Sequence, residues 1–141
     1  MLPKHSNGYG QVHGGLIMRL VDEAGAIAAM RHAQRPCVTI AMDSMVFHSP
    51  VSVGQLLSCR AGVTYVGRSS IEVAVMVHAE DILNSRTTHT NSAHLVYVAL
   101  DGQGRPCEVP PLRVETEDER RALESARQRQ QDRLRRAGRT G

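Results

Sequence analysis

The chain has 141 residues, of which 41% are hydrophobic and 22% charged, a composition typical of one globular domain with a single core. No apolar run reaches the roughly 18–20 residues that a membrane span needs, and the first residues lack the basic and apolar blocks of a signal peptide. We therefore expect a cytoplasmic protein. The cysteines Cys37, Cys59 and Cys107 form no paired motif and are expected to be reduced thiols.

The first predicted element is a long helix over residues 13–33. Arg19 and Glu23 mark a narrow polar face, and the remaining apolar arc is wide, so we expect this helix to be buried on most sides. The segment 34–36 ends it with a proline. Its apolar positions recur at helical spacing: Leu16, Leu20, Ala24 and Ile27.

Four strand-like runs follow, over residues 37–48, 55–66, 70–79 and 87–100. The first three have alternating apolar residues, and turn or loop signals separate the runs and follow the last one. A long helix followed by a meander of long strands indicates an α+β fold, with the helix packed against an antiparallel sheet.

The positive charge of the chain is concentrated in its last segment. From Arg113 onward, nine arginines stand against six acidic residues, so the whole formal net charge of +3 lies there. We divide the chain into a neutral body, 1–112, and an Arg-rich tail, 113–141. Within the tail, residues 117–137 are predicted to form a charged helix that is solvated and packs thinly on the body or on a neighbouring subunit.

A glycine pair at the start of the long helix carries the chemical signal. Gly14 and Gly15 allow a carbonyl group to approach the free backbone N–H groups of a helix N-terminus, which stabilise a developing oxyanion. Asp22 follows about two turns later at the margin of the apolar arc, where a half-buried carboxylate can serve as a general base. Together these features indicate acyl transfer to water. Small neighbours leave room for a substrate: Gly25, Ala26 and Ala29.

These residues also carry a family resemblance that covers nearly the whole chain. The segment from Asn7 to Ile27 resembles the acyl-CoA hydrolases of the cytosolic brain type and their single-domain bacterial relatives. The further matching blocks, in chain order, are Arg31-His32, Phe47-His48-Ser49-Pro50, Gly67-Arg68-Ser69-Ser70, Glu108-Val109-Pro110-Pro111 and Glu115-Thr116-Glu117-Asp118-Glu119. The resemblance implies a single hot-dog domain over 1–112.

The resemblance implies hydrolysis of acyl-CoA thioesters to free fatty acid and CoA. In that family the residue matching Asp22 either activates water or attacks the carbonyl, and the residue matching Asn7 positions water or substrate. In two-domain members each site takes its Asn from one unit and its Asp from the other. We therefore expect at least a homodimer, with Asn7 of one subunit beside Asp22 of the next, and a hexamer built as a trimer of dimers.

Substrate-binding residues follow from the same pattern. Arg68, Ser69 and Ser70 in a tight turn offer a guanidinium, hydroxyls and N–H groups to the phosphates of CoA. His13 precedes the glycines and either reaches the site or serves as a helix cap. The expected acyl pocket consists of Met18, Val21, Met45 and Phe47. The seven histidines show no metal-ligand spacing, so we expect no metal, and no cofactor besides the CoA of the substrate.

Three other functions remain open from the sequence. A hot-dog hydratase or dehydratase would act on acyl thioesters, although such enzymes usually need a histidine near the acid. A hot-dog protein that only binds acyl-CoA would have the same fold but would catalyse no reaction. Nucleic-acid binding by the tail is disfavoured, because its six acidic residues weaken its positive electrostatic potential. Aromatic residues, which would stack on bases, make up only 3% of the chain. We expect neither a nucleic-acid nor a membrane partner.

Overall fold

The computed structural model describes residues 10–136, which form a four-stranded antiparallel sheet with one helix on each face. The strand order is β1-β4-β3-β2, so β1 lies at one edge of the sheet. All elements agree with the predicted bounds to within two residues, and the α+β class is confirmed. The elements are α1 (Gly14–Ala33), β1 (Cys37–Phe47), β2 (Leu56–Val66), β3 (Ser70–Asp81), β4 (Arg86–Ala99) and α2 (Glu117–Arg136).

The main core lies between α1 and one face of the sheet. Alternate residues of β3 point toward the helix because successive side chains of a strand face opposite sides. Ile71, Val73 and Val75 are fully buried there, and Val21 of α1 is fully buried against them. The other face of β3 carries Glu72, on the side of the sheet that α2 covers.

The loop before α1 is tied to the loop after β1. The Val12 N–H donates to the Val51 carbonyl at 2.8 Å, and the Val53 N–H donates to the Gly10 carbonyl at 2.9 Å. Helical hydrogen bonding then begins with the N–H groups of residues 16 and 17, which donate to the His13 carbonyl. These contacts fix the position of the two glycines that open α1.

One face of α1 and the neighbouring strand β1 remain exposed. The prediction that α1 is buried on most sides is wrong for the single chain, because three of its large apolar side chains are 39–48% exposed. Four apolar side chains of β1 are 44–57% exposed as well. An exposed apolar helix face beside an exposed edge strand marks an interaction surface. The α1–β1 surface consists of Met18, Ile27 and Met30 in α1 and the edge strand β1 with Phe47, whereas Val38, Ile40 and Val46 point to the other face of the sheet.

Helix α2 begins with a capping box. Thr116 Oγ1 accepts a hydrogen bond from the Glu119 N–H at 3.0 Å, and the Glu119 carboxylate accepts one from the Thr116 N–H at 3.4 Å. The helix then crosses the outer face of the sheet, where Ala126 is fully buried. No helix within residues 10–136 is long and apolar enough to span a membrane.

Buried ion pairs attach α2 to the sheet more closely than its composition indicates. Glu72 is 1% exposed, and its carboxylate accepts hydrogen bonds from Arg129 at 2.8 and 3.0 Å and from Arg133 at 2.9 Å. Thr64 Oγ1 donates to the same carboxylate at 2.6 Å. Asp43 of β1 lies 3.3 Å from Arg133, so the helix is bound to both β1 and β3.

Candidate active site

The half-buried carboxylate of Asp22 lies at the centre of a cluster of hydroxyl groups. Its Oδ1 accepts a hydrogen bond from Thr39 of β1 at 2.7 Å and another from Tyr97 of β4 at 3.0 Å. Thr39 and Tyr97 are direct partners in the β1–β4 ladder, which places both side chains on the face that α1 covers. We call these three residues the Asp22 cluster.

The Tyr97 hydroxyl is locked in place from the helix side. It also donates to the main-chain carbonyl of Asp22 at 2.9 Å, and the residue is fully buried. A Cβ atom at Gly25, one turn after Asp22, would collide with this hydroxyl and would lie 3.1 Å from Tyr97 Cζ. Gly25 is therefore the residue that lets the tyrosine reach α1.

The electrostatics keep Tyr97 protonated. Burial raises its pKa well above the usual value, and the adjacent Asp22 carboxylate raises it further. The hydroxyl therefore remains a hydrogen-bond donor at every physiological pH. Within residues 10–136, both side-chain hydrogen bonds to the Asp22 carboxylate go to Oδ1. Oδ2 is consequently the oxygen that can accept a proton from water.

The two glycines lie at the other end of this stretch of α1. Gly14 and Gly15 precede the first N–H groups that bond within the helix, so their own N–H groups belong to the free set at a helix N-terminus. A Cβ at Gly15 would meet no atom within 4 Å, whereas one at Gly14 would lie 3.6 Å from the Phe47 ring. Gly14, Gly15 and Phe47 form what we call the helix entrance.

The helix entrance and the Asp22 cluster do not meet within one chain. Gly15 and Asp22 are seven residues apart, which is about 10 Å along an α-helix. A base and an oxyanion site must each lie about 3 Å from the reacting group. Helix α1 runs antiparallel to β1, with Asp22 against Thr39 and Gly14 against Phe47. Each chain thus carries these two features at separate places along the α1–β1 surface.

The other predicted residues occupy different positions. Asn7 lies outside the described residues. His13 is the exposed N-cap residue of α1 and makes no side-chain capping hydrogen bond. Glu23 is an exposed acid paired with Arg19 at 3.0 Å.

The expected acyl-pocket residues are not brought together into one cavity. Phe47 and Met18 are 51% and 41% exposed, and Met45 is partly buried against the core. Val21 is fully buried in the core, so no open surface of this chain reaches it.

The predicted turn residues line a cleft on the opposite face of the sheet. Gly67 N–H donates to the Ser70 carbonyl at 2.9 Å, which closes the turn. Arg68, Ser69 and Ser70 form one side of a cleft of about 920 Å³, and α2 forms the other. We call it the outer cleft.

Sequence reasoning missed Thr39 and Tyr97. Both lie in apolar strand runs where a hydroxyl gives no periodic signal. The one available hint was Gly25, because a glycine inside an otherwise alanine-rich helix indicates a close approach. The sequence does not tell which side chain makes that approach.

A long helix packs against an antiparallel sheet, and its exposed side carries an acid and an N-terminus that begins with two glycines. These features define a hot-dog thioesterase. A family model of the thioesterase superfamily matches residues 9–85, and the chain belongs to that superfamily. The family expected from the resemblance is thereby confirmed.

Solved and curated proteins agree with this assignment. The structure of an apo hexameric acyl-CoA thioesterase superposes with a TM-score of 0.92 at 39% identity, covering 97% of this chain and 88% of that one. An acyl-CoA hydrolase from Staphylococcus aureus, solved with butyryl coenzyme A and coenzyme A, gives a TM-score of 0.89 at 35% identity, covering 97% and 84%. The cytosolic acyl coenzyme A thioester hydrolase of Rattus norvegicus is 34% identical over 86% of this chain, which spans 32% of that protein.

Proposed function

We propose that the protein hydrolyses acyl-CoA thioesters to a carboxylic acid and free CoA, with Asp22 as the general base. Asp22 Oδ2 takes a proton from water as the water oxygen attacks the thioester carbonyl. The oxyanion that forms accepts hydrogen bonds from the N–H groups of Gly14 and Gly15. The tetrahedral intermediate then collapses as its C–S bond breaks, and the proton held by Asp22 passes to the departing CoA sulfur, which restores the carboxylate.

The observation that carries this proposal is the fixed orientation of the Asp22 carboxylate. Thr39 and Tyr97 both donate to Oδ1, which fixes the carboxylate and leaves Oδ2 without a side-chain hydrogen bond from the described residues. Such preorganisation is what a general base needs, because small misplacements of a catalytic group lower the rate steeply.

Residue spacing in a solved relative supports the same residues. The Staphylococcus aureus hydrolase was solved with alanine in place of an aspartate, of a threonine and of an asparagine. In that chain the asparagine precedes the aspartate by 15 positions and the threonine follows it by 17. Asn7, Asp22 and Thr39 have the same separations here.

The complete site is composed from two chains. Because the helix entrance and the Asp22 cluster are about 10 Å apart, one thioester carbonyl cannot contact both within a subunit. A second copy that covers the α1–β1 surface brings its own helix entrance, and Asn7, to the Asp22 cluster of the first. The hexameric assembly of related thioesterases supports an oligomer of this kind. Each dimer then contains two equivalent sites.

The first experiment measures release of the free CoA thiol from short, medium and long acyl-CoAs, for the wild type and for Asp22→Asn. This change keeps the shape of the side chain and removes the base, so we expect kcat to fall by about a hundredfold or more. Glu23→Gln is the matched control, because it removes a neighbouring exposed acid and should alter kcat by less than about twofold.

Two results would reject the proposal. Equal rates for the wild type and Asp22→Asn would exclude Asp22 as the base. A wild type that binds acyl-CoA but releases no thiol from any chain length would make the protein a binding module, or a hydratase if it consumes an enoyl-CoA.

A further inference from the structure

Asn91 of β4 carries a fully buried amide without a hydrogen-bond partner. Neither its Oδ1 nor its Nδ2 forms a hydrogen bond within residues 10–136. Glu72 and Thr90 are also fully buried, but Glu72 pairs with two arginines and Thr90 Oγ1 donates to the Val77 carbonyl at 3.3 Å. A buried amide that gives up its hydrogen bonds to water loses free energy unless another group replaces them. An unpaired amide in the core therefore indicates a missing partner.

The Asn91 side chain points from the sheet toward the start of α1. Its ladder partners are Phe47 in β1 and Val77 in β3, and directly opposed residues of neighbouring strands share one face of the sheet. The Phe47 ring identifies that face, because its tip lies 3.6 Å from the position of a Cβ at Gly14. The ring thus lies between the Asn91 amide and the helix entrance.

A pocket of about 340 Å³ opens at the helix entrance. The loop after β1 forms part of its lining, with residues 48–51. This loop is held against β4 directly beside Asn91, because the N–H groups of its first two residues donate to the Thr90 carbonyl at 2.7 and 3.2 Å. Pockets of this size hold small organic groups. The pocket therefore extends from the proposed oxyanion site to the part of β4 that carries Asn91.

The chemistry of the unpaired amide favours a hydroxyl group as its ligand. The amide has a donor, Nδ2, and an acceptor, Oδ1, and both are unpaired in Asn91. A hydroxyl can donate to Oδ1 and accept from Nδ2, whereas a keto oxygen can only accept. A carboxylate would be buried beside Phe47 and Val77, neither of which supplies a counter-ion, and an unpaired buried charge costs far more than a neutral group.

Phe47 controls access to the amide. Asn91 is fully buried, whereas the Phe47 side chain is about half exposed, so Phe47 is the neighbour that has room to move. A turn of the ring away from Gly14 joins the pocket to the amide. Since Asn91 has no side-chain hydrogen bond to break, an incoming hydroxyl gains its hydrogen bonds without displacing an existing protein partner.

We propose that Asn91 determines specificity, by selecting acyl-CoA substrates that carry a hydroxyl group on the acyl chain. The acyl chain runs from the helix entrance along the Phe47 ring, and its hydroxyl pairs with the Asn91 amide. The inference rests on the proposed function, since it names the substrate class of the same site. An unsubstituted acyl chain fills the pocket but leaves the amide unpaired, and a site that hydrogen-bonds a substrate hydroxyl discriminates against the analogue that lacks it.

The test compares substrates of one chain length. Hydrolysis of 3-hydroxyhexanoyl-CoA and of 6-hydroxyhexanoyl-CoA is measured against hexanoyl-CoA, so that the hydroxyl lies near the thioester in one substrate and at the far end of the chain in the other. For the wild type, we expect kcat/KM of at least one hydroxylated substrate to exceed that of hexanoyl-CoA by about tenfold or more, mainly through KM.

Two variants of Asn91 and one control assign this preference to the amide. Asn91→Leu has a larger side chain and Asn91→Ala a smaller one, so a preference lost in both is due to the amide and not to the size of the pocket. The control is Thr90→Val, which removes the neighbouring buried hydroxyl that already has a partner. This change should leave the substrate ratio within about twofold of the wild type.

Two results overturn the inference. One is a wild type that hydrolyses hexanoyl-CoA as well as both hydroxylated substrates, and the other is a preference that persists in Asn91→Ala. If the wild type hydrolyses none of the three, the proposed function fails, and calorimetry with the stable thioethers S-hexyl-CoA, S-(3-hydroxyhexyl)-CoA and S-(6-hydroxyhexyl)-CoA still decides the role of Asn91. Tighter binding of a hydroxylated thioether that Asn91→Ala loses supports the role, whereas equal binding or no binding overturns it.

Discussion

The geometry of the candidate base depends on one buried tyrosine. Tyr97 donates to both the side chain and the main chain of Asp22, so it fixes the carboxylate relative to the helix backbone. Burial and the adjacent Asp22 carboxylate raise the pKa of Tyr97, so the phenol stays protonated and continues to donate.

Tyr97→Phe should therefore impair catalysis with little effect on folding. The phenyl ring keeps the buried volume, but the carboxylate loses one of its two side-chain donors. We expect kcat to fall by about tenfold to a hundredfold, with a thermal midpoint within a few degrees of the wild type. Steady-state kinetics and a thermal scan check both statements. Wild-type kcat in this variant would mean that the ring only fills space.

Gly25→Ala tests the close approach of helix and tyrosine. Alanine raises helix propensity by about 1 kcal/mol, yet its Cβ would collide with the buried Tyr97 hydroxyl. We expect a net loss of about 1–3 kcal/mol in the free energy of unfolding. Gly15→Ala, in the same helix with open space around it, should lose no stability.

A double-mutant cycle makes this prediction specific. In the Tyr97→Phe background the colliding hydroxyl is absent, so Gly25→Ala should be less destabilising there by about 1 kcal/mol or more. Strictly additive effects in urea unfolding would show that the two residues are not coupled.

At the scale of elements, the face that each strand residue occupies could be predicted, but not what covers that face. Alternation in β3 places Ile71, Val73 and Val75 toward α1 and Glu72 on the opposite side. An acid on the outer face of a sheet is expected to meet solvent. Glu72 is instead fully buried, because α2 lies over it and supplies two arginines.

The same limit explains why the sequence predicts a thinly packed helix in the tail. Its few apolar residues indicated a thinly packed helix, since periodicity measures apolar burial alone. The attachment uses charge, through pairs such as Arg133 with Glu72, whose members are 61 positions apart in sequence. Interactions between such distant residues leave no local pattern.

Glu72→Gln should loosen α2 by leaving Arg129 and Arg133 without their buried anion. Removing one partner of a buried ion pair typically costs about 3 kcal/mol or more, and urea unfolding at neutral pH measures this loss. The control Glu124→Gln removes an exposed carboxylate that pairs with Arg127 and should cost about 0.5 kcal/mol or less. Equal losses for the two variants would contradict the buried pairing.

The effect of Glu72 should also depend on pH. Burial by itself raises the pKa of this carboxyl, but hydrogen bonds from Arg129, Thr64 and Arg133 outweigh burial and hold the pKa below its usual value. The contribution of Glu72 to the free energy of unfolding is therefore complete above about pH 4.3, the ordinary pKa of a glutamate. It is lost as the pH falls through the lower pKa of the folded state. The stability difference between wild type and Glu72→Gln should narrow only in that acidic range.

At the scale of the whole molecule, the proposed mechanism requires a second chain, because the helix entrance and the Asp22 cluster are about 10 Å apart. The sequence supplied both halves, Gly14-Gly15 and Asp22, because each is a local signal within one helix. Their distance follows only from the straightness of α1 and from its course along β1. In the proposed mechanism, oligomerisation therefore completes the catalytic site.

Complementation tests this shared site. Asp22→Asn subunits and Asn7→Ala subunits are each expected to have low activity as pure assemblies. In a mixed dimer, one of the two sites receives an intact Asn7 and an intact Asp22, so activity should recover to about half of the wild-type value. Co-expression with two affinity tags isolates the mixed species. Activity no higher than the average of the parents would place both residues in the same subunit's site.

The alternating side chains of β4 limit which changes of sequence this strand can accept. Tyr97 points toward α1, and its neighbours Val96 and Val98 point toward the outer cleft on the opposite face. A single residue inserted or deleted before Val96 would turn every one of these side chains to the opposite face. A change in the length of the turns before and after β4 would leave this alternation intact, whereas a change in length within the strand would reverse it for the residues that follow.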